Sequence, residues 1–262
     1  MQNPGTHLSQ MRAAAPLVQN ITNYVAMNVM ANVMLAAGAS PAMVHAAEEV
    51  GEFAAFTPAL TINIGTLSAP WVESMLTAAR VMHDRGAPWV LDPVAAGATA
   101  FRRETAAALA ALRPTVVRGN ASEIMALAGL GGRGKGADAA DGVEAAEAAA
   151  RSLAARTGGV VAVTGPVDFV TDGTRAFRIA NGDPMMPRIT ALGCSLTGVV
   201  GAFLVGQPAL EATVAALAYY GLAGEIAAET AQGPGSFAVA FLDALHNITP
   251  ERLTAGARIV AA

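Results

Sequence analysis

The residues that could do chemistry gather in a few short stretches. Thr190-Ala191-Leu192-Gly193-Cys194-Ser195 opens an apolar segment that carries Gly198 and Gly201. Small residues at a helix start let backbone N–H groups close on an anion, and the helix end adds partial positive charge, so a phosphate is favoured there. Gly193 and the amides through Ser195 are the candidate anion ligands. Cys194, the only cysteine of 262 residues, sits in the same turn. A helix N-terminus is expected to lower the pKa of such a thiol. The competing reading is a small buried hydrophobe, the usual state of a free cysteine.

Asp92 and Glu123 are the carboxylates nearest to expected strand ends. Hard oxygen ligands there suit Mg²⁺ with its waters, the partner of nucleotide phosphates. Equally, Asp92 can cap the turn before Pro93, and Glu123 can sit in a first helical turn where it favours the macrodipole. Arg118 closes a buried-looking strand, so its charge needs a partner, either a nucleotide phosphate or a structural carboxylate. Gly129 to Gly134 matches GxGxxG, and Gly129 to Lys135 matches most of a Walker A loop. No strand precedes either match, however, and Gly136 follows where Ser or Thr is needed; the low-complexity stretch Gly129–Gly142 that holds them reads as a surface loop. Met27, Met30 and Met34 share one helical face and read as core or interface, with an apolar ligand pocket as the alternative. His7, His45, His83 and His246 show no metal spacing.

These residues must be positioned by β-rich runs, each followed by a helix-sized segment. The runs are Ala42–His45 (weak), Leu60–Ile64, Pro88–Leu91, Thr115–Arg118 and Val160–Thr164. Ala-rich amphipathic segments over Val72–Arg85, Glu104–Leu112 and Val143–Arg156 separate several of them, which predicts βαβ units and a parallel sheet buried on both faces. Asp168–Thr171 and Arg175–Ile179 read as a hairpin turning at Asp172-Gly173. Helices dominate from Gly193, and Gln207-Pro208 separates two of them. Ligands of open parallel sheets bind outside the carboxyl edge. Here those edges read Asn63-Ile64-Gly65-Thr66, Asp92-Pro93-Val94, Arg118-Gly119-Asn120 and Thr164-Gly165-Pro166. Polar groups and glycines at four edges in series point to a site.

Composition bounds the partners. Sixteen Lys+Arg against 20 Asp+Glu give a formal charge of −4, which argues against a nucleic-acid binder. Charged residues make up 14% of the chain, against a typical ~25%. That is thin cover for a monomer exposing roughly 10,600 Å². No Asp, Glu, Lys or Arg occurs between Arg12 and Glu48, but polar residues interrupt the stretch, and the purest apolar run, Gly198–Val205, is far too short to span a bilayer. An oligomer is therefore expected, not a membrane protein. One thiol, and an N-terminus that does not read as a signal peptide, suit the cytoplasm. No internal repeat or linker divides the chain, so a single domain over 1–262 is expected.

Six motifs in order carry a family likeness: Asn20-Ile21-Thr22-Asn23-Tyr24-Val25, Gly38-Ala39-Ser40-Pro41-Ala42-Met43, Asn63-Ile64-Gly65-Thr66-Leu67, Leu91-Asp92-Pro93-Val94-Ala95-Ala96-Gly97-Ala98, Arg118-Gly119-Asn120-Ala121-Ser122-Glu123-Ile124 and Gly233-Pro234-Gly235-Ser236-Phe237. Through about residue 245 the chain resembles the hydroxyethylthiazole kinases. The resemblance implies a three-layer α/β/α ribokinase-like fold with a mostly parallel central sheet. It also implies phosphorylation of 4-methyl-5-(2-hydroxyethyl)thiazole by ATP for thiamine salvage, and a homotrimer with sites between subunits. Carried over position by position, Met43, the Ala191 backbone and Asn23 would meet the thiazole. Arg118 and Thr164 would bind ATP, joined by the Gly193 turn, and Asp92 with Glu123 would hold Mg²⁺ through water. Cys194 would face the substrate hydroxyl as proton acceptor. The family usually has glycine where this chain has Ala191, which is strained if that position needs φ > 0. The rivals are another alcohol kinase of this fold (hydroxymethylpyrimidine or pyridoxal type), a cysteine-nucleophile hydrolase and a non-catalytic nucleotide-binding scaffold. A cysteine hydrolase needs a histidine near its thiol, and none lies within 40 residues of Cys194 in the sequence.

Overall fold

The structure, a computed structural model, describes residues 3–129 and 139–262. The chain runs α1 (Pro4–Ala14), β1 (Leu17–Ile21), α2 (Met27–Ala37), β2 (Ser40–Ala42), α3 (Val50–Phe56), β3 (Ala59–Asn63), α4 (Ala69–Arg85), β4 (Trp89–Asp92), α5 (Ala100–Ala110), β5 (Val116–Asn120) and α6 (Ala121–Ala128). It continues through α7 (Ala139–Thr157), β6 (Val160–Thr164), β7 (Asp168–Thr171), β8 (Ala176–Ile179), α8 (Leu192–Phe203), α9 (Ala209–Thr230), α10 (Pro234–Asn247), α11 (Pro250–Gly256) and β9 (Ile259–Ala261). One sheet orders the strands β2-β1-β3-β4-β5-β6-β7-β8-β9. Pairings are parallel from β2 to β6 and antiparallel from β6 to β9.

Strand residues alternate between two cores, which is why these runs are apolar throughout. Ala59, Val90, Val116 and Val160 pack with residues of α1, α2, α8, α9 and α10. Their neighbours Leu60, Leu91, Val117 and Val161 pack on the other face with residues of α3 to α7. Two helical layers therefore cover the sheet, the arrangement expected of crossover-connected parallel strands.

Helix α8, which carries Cys194, is held down by its glycines. A Cβ on Gly198 would lie 2.6 Å from the Met34 sulfur, and one on Gly201 would lie 2.6 Å from the Thr61 methyl. The methionine face of α2 thus packs inside its own chain, with Met30 and Met34 fully buried. The large apolar side chains that the charge-free segment leaves outside are Tyr24, Val25 and Leu35, 65%, 58% and 60% exposed.

The boundaries differ from the sequence expectation in specific ways. Strands β1 and β9 form where none was expected. The expected Ala42–His45 strand is Ser40–Ala42 instead, because pairing with β1 runs from Leu17↔Ser40 to Gln19↔Ala42. Helices α4, α5 and α7 begin three or four residues early. For α5 the cause is Thr99, whose hydroxyl accepts from the Arg102 N–H and caps the first turn. Most of the GxGxxG and Walker-like stretch lies outside the described residues, while the expected loop through Gly142 is already helical from Ala139.

Candidate active site

Strands β3, β4, β5 and β6 end along one edge, and the chain leaving β1 joins them there. Register places Asn63 directly beside Asp92, and Asn120 beside Thr164. One run of hydrogen bonds then links the turn after β1 with β3, β4, β5, β6 and α8. Asn23 Nδ2 donates to Asn63 Oδ1 at 2.8 Å and approaches Cys194 Sγ at 3.3 Å. Asn63 Nδ2 donates to Asp92 Oδ2 at 2.7 Å. Arg118 donates through Nη1 to the same oxygen at 3.2 Å and through Nη2 to Thr164 Oγ1 at 2.9 Å. Thr197, one turn into α8, adds its hydroxyl to Asp92 Oδ2 at 2.9 Å. Gly65 makes the turn compact enough: a Cβ there would stand 2.7 Å from Asn23 Nδ2.

Asp92 is fully buried, and burial pushes its carboxyl up to about 6 against the pull of Arg118, with Glu123 adding to the rise. The guanidinium of Arg118 is held charged above its ordinary value: burial opposes the charge, but Asp92, then Glu123, outweigh it. Two atoms in this network are buried with no protein partner, Asp92 Oδ1 and Arg118 Nε. An unpaired carboxylate oxygen and an unpaired N–H donor within one network fit a ligand of mixed charge, such as a cation with phosphate.

Glu123 takes the helix-start place of its capping reading. Its carboxylate accepts from the Ala95 N–H at 2.9 Å and from the Asn120 N–H at 2.8 Å, while Asn120 Oδ1 accepts from the Glu123 N–H, closing a capping box at the start of α6. Each of its oxygens keeps a free lone pair. Among the described residues no group of three His, Cys, Asp or Glu could hold a metal ion. Two carboxylates with one open oxygen suit Mg²⁺, which keeps most of its waters.

Helix α8 aims its first amides at this edge, and a Cβ on Gly193 would come within 3.3 Å of Arg118 Nη2. The expectation that the helix end lowers the Cys194 pKa is corrected here. Burial raises the thiol, the Asp92 charge raises it further, and the asparagine hydrogen bonds only partly offset this. Cys194 therefore rests as a thiol. Its hydrogen-bonding neighbours are asparagines instead of a histidine, so the nucleophile–base pair of a cysteine hydrolase is not built.

Ala191 is the N-cap of α8 with φ 64 and ψ 2, in the left-handed region. The substitution of the family's glycine is therefore strained. Replacing it by glycine relieves a cost of about 1–2 kcal/mol but restores freedom to the unfolded chain. Ala191→Gly is expected to stabilise by about 0.5–1 kcal/mol, raising Tm by about 1–4 °C in a thermal melt. An unchanged or lower Tm would show that the methyl packs well enough to offset its backbone strain.

Of the residues expected at the site, Asn23, Asp92, Arg118, Thr164, Gly193 and Cys194 come together, and Glu123 flanks them. Met43 lies just past β2, partly buried against the core, and forms no link in this network. Asn63 and Thr197 belong to the site although sequence reasoning gave them no role. Asn63 carried a signal in the strand-edge series; Thr197 lay within an apolar helix and carried none.

Comparison with known proteins decides the family. The profile of the Hydroxyethylthiazole kinase family matches residues 8–251. The chain belongs to the hydroxyethylthiazole kinase family. A hydroxyethylthiazole kinase of Cereibacter sphaeroides is 70% identical over 262 residues, covering all of both chains. The solved hydroxyethylthiazole kinase protein of Pyrococcus horikoshii superposes with a TM-score of 0.92 at 40% identity, again over the whole of both chains. A pyridoxal kinase of Staphylococcus aureus, solved with AMP-PCP and pyridoxal, shares the fold alone, with a TM-score of 0.64 at 18% identity over 94% of this chain and 98% of its own. The three-layer ribokinase-like architecture of this hydroxyethylthiazole kinase family member is thus the expected one. Among the described residues, no helix is long and apolar enough to cross a membrane.

Proposed function

We propose that the chain, as one kinase domain over residues 1–262, transfers the γ-phosphoryl of ATP to the hydroxyl of 4-methyl-5-(2-hydroxyethyl)thiazole in thiamine salvage. The observation that carries this reading is the hydrogen-bonded run from Cys194 through Asn23, Asn63, Asp92 and Arg118 to Thr164. It sets an alcohol-sized polar group beside a buried cation and a helix N-terminus, the parts that phosphoryl transfer needs.

Asn23, Met43 and the Ala191 backbone would receive the thiazole, with its hydroxyl at Cys194. Arg118, Thr164 and the Gly193 turn would take the phosphates. Asp92, through its open oxygen, and Glu123 would hold Mg²⁺ through water; when bound, the ion neutralises phosphate charge. In a loose, in-line transfer the alcohol keeps its proton until late, so alignment and charge neutralisation supply most of the rate. Arg118 and the α8 amides stabilise charge as it builds on the transferred group. The raised pKa keeps Cys194 a thiol, so its task is orientation of the hydroxyl; only its minor thiolate fraction could take the late proton.

The exposed Tyr24, Val25 and Leu35 support a subunit contact through this segment, and the assembly proposed for it is the homotrimer, with sites between subunits, that the family resemblance implies. Light scattering is expected to give three times the 26.4 kDa of the chain. A monomer mass at micromolar concentration would rule the assembly out. The activity itself is tested by incubating the protein with Mg-ATP and the thiazole alcohol, with ADP and phosphothiazole expected in equal amounts. ADP without phosphothiazole would overturn the substrate assignment.

A further inference from the structure

Asn63, the last residue of β3, is 1% exposed and makes three polar contacts with no freedom to exchange them. Its Oδ1 accepts from Asn23 Nδ2 at 2.8 Å and from the Gly65 N–H at 2.9 Å, while its Nδ2 donates to Asp92 Oδ2 at 2.7 Å. Only one orientation of the amide satisfies all three. Two donors face the oxygen and a carboxylate faces the nitrogen, so a flipped amide would present N–H to N–H and oxygen to carboxylate. The parallel register fixes the backbone as well, since Asn63 and Asp92 are direct partners in the β3–β4 pair.

Its place in the network is singular. On one side lie Asn23 and Cys194, the groups next to the alcohol; on the other lie Asp92, Arg118 and Thr164, the groups next to the phosphates. Among the described residues, the side-chain hydrogen bonds that join Asn23 to Asp92 pass through Asn63, while Thr197 ties the thiol's helix to Asp92 separately. We propose that Asn63 is a positioning residue for phosphoryl transfer, a neutral clamp that fixes the thiol end of the site to the carboxylate–guanidinium end. The inference rests on the kinase reading above. Its physical basis is that in-line transfer is intolerant of misplacement: a displacement of about 1 Å costs about 10²-fold in rate. Neutrality matters too, because a carboxylate at this position would face the Asp92 carboxylate at hydrogen-bonding distance.

The test uses steady-state kinetics with Mg-ATP and the thiazole alcohol, beside thermal melts of each protein. Asn63→Asp keeps the acceptor for Gly65 and Asn23 but loses the donor to Asp92; Asn63→Ser loses both reaches. Each is expected to lower kcat about 10²-fold while KM for both substrates moves less than about threefold, the split of a group that aligns bound reactants. In a Cys194→Ser background the same change is expected to cost less than about tenfold, because residues acting as one unit are not additive. If neither Asn63 variant folds, Asn23→Asp cuts the same link from its other end and is expected to lower kcat with KM for ATP unchanged. A folded variant with kcat within threefold of wild type overturns the proposal. So does a full additive loss in the Cys194→Ser background, and so does a loss that tracks only the unfolded fraction. A wild type that does not phosphorylate the thiazole overturns the kinase reading and this inference together, whereas an active wild type with indifferent Asn63 variants overturns this inference alone.

Discussion

Asp92→Asn is expected to lower turnover by about 10²–10³-fold, the range seen when a preorganised electrostatic group is removed from an active site. The substitution is close to isosteric, so Thr197 and Arg118 still meet an oxygen at that position, but the charge that would hold a hydrated Mg²⁺ is gone. Stability should move in the opposite sense, and with pH. The carboxyl of Asp92 rises from 3.8 to about 6 on folding. A group raised in this way favours the folded state while protonated in both states, and that contribution is lost as pH rises through the folded pKa. Below pH 3.8 there is no penalty; above about 6 the folded protein carries a buried charge. The difference is worth about 3 kcal/mol at 1.36 kcal/mol per pKa unit. Wild type is therefore expected to lose about that much stability relative to Asp92→Asn between pH 4 and 7.5, read by denaturant unfolding of both proteins. A difference independent of pH would mean that Arg118 and Thr197 hold the carboxylate at its ordinary pKa. Near-wild-type turnover at limiting Mg²⁺ would return Asp92 to a turn cap before Pro93.

The same residue shows why part of the site was legible in the sequence. Asn63, Asp92, Arg118 and Thr164 each stand at or beside the end of an apolar run, and parallel strands bring such ends to one edge whatever their separation along the chain. Element type and the location of the site therefore follow from hydrophobic runs and their punctuation. Register does not. Nothing in the residue order shows that Asn63 pairs with Asp92 rather than one position away, and the clamp depends on that pairing. Burial was equally hidden. The position of Cys194 at the start of α8 suggested a lowered pKa, but the thiol lies under Asn23 and near the Asp92 charge, and both the desolvation and the charge act the other way. Strands β1 and β9 escaped for a local reason. Leu17–Ile21 contains Gln19 and Asn20, whose side chains bond within the fold to Val44 and Val50 carbonyls and to the Val18 carbonyl. Ile259–Ala261 has three residues and relies on β8 for its pairing.

The Cys194 series should separate orientation from covalent chemistry. A thiol whose pKa is raised by burial is a poor nucleophile at neutral pH, since the thiolate is the reactive form. Wild type is expected to react slowly with iodoacetamide, and ATP plus thiazole should protect it by occupying the space. Cys194→Ser keeps a hydroxyl that can accept from Asn23 and meet the substrate alcohol, but it lacks the thiolate fraction that could take the late proton. Its kcat is expected to fall by about 10²–10⁴-fold, the contribution of a positioned general acid–base group, and to remain clearly measurable. A covalent nucleophile would behave differently, its loss removing nearly all turnover. Cys194→Asp is the stronger discriminator. It offers a carboxylate that takes a proton readily, and Asn23 Nδ2 is already placed to donate to it, 3.3 Å from the present sulfur. Retention of at least about a tenth of wild-type kcat is expected, because a loose transition state asks for alignment first and a base only late. Repulsion from Asp92 works against this variant, and Arg118, which already serves Asp92, is the charge that can offset it. A Cys194→Asp protein that folds, binds both substrates and is inactive would show that sulfur chemistry itself is required, and a substrate adduct on the wild-type thiol would locate that chemistry at Sγ.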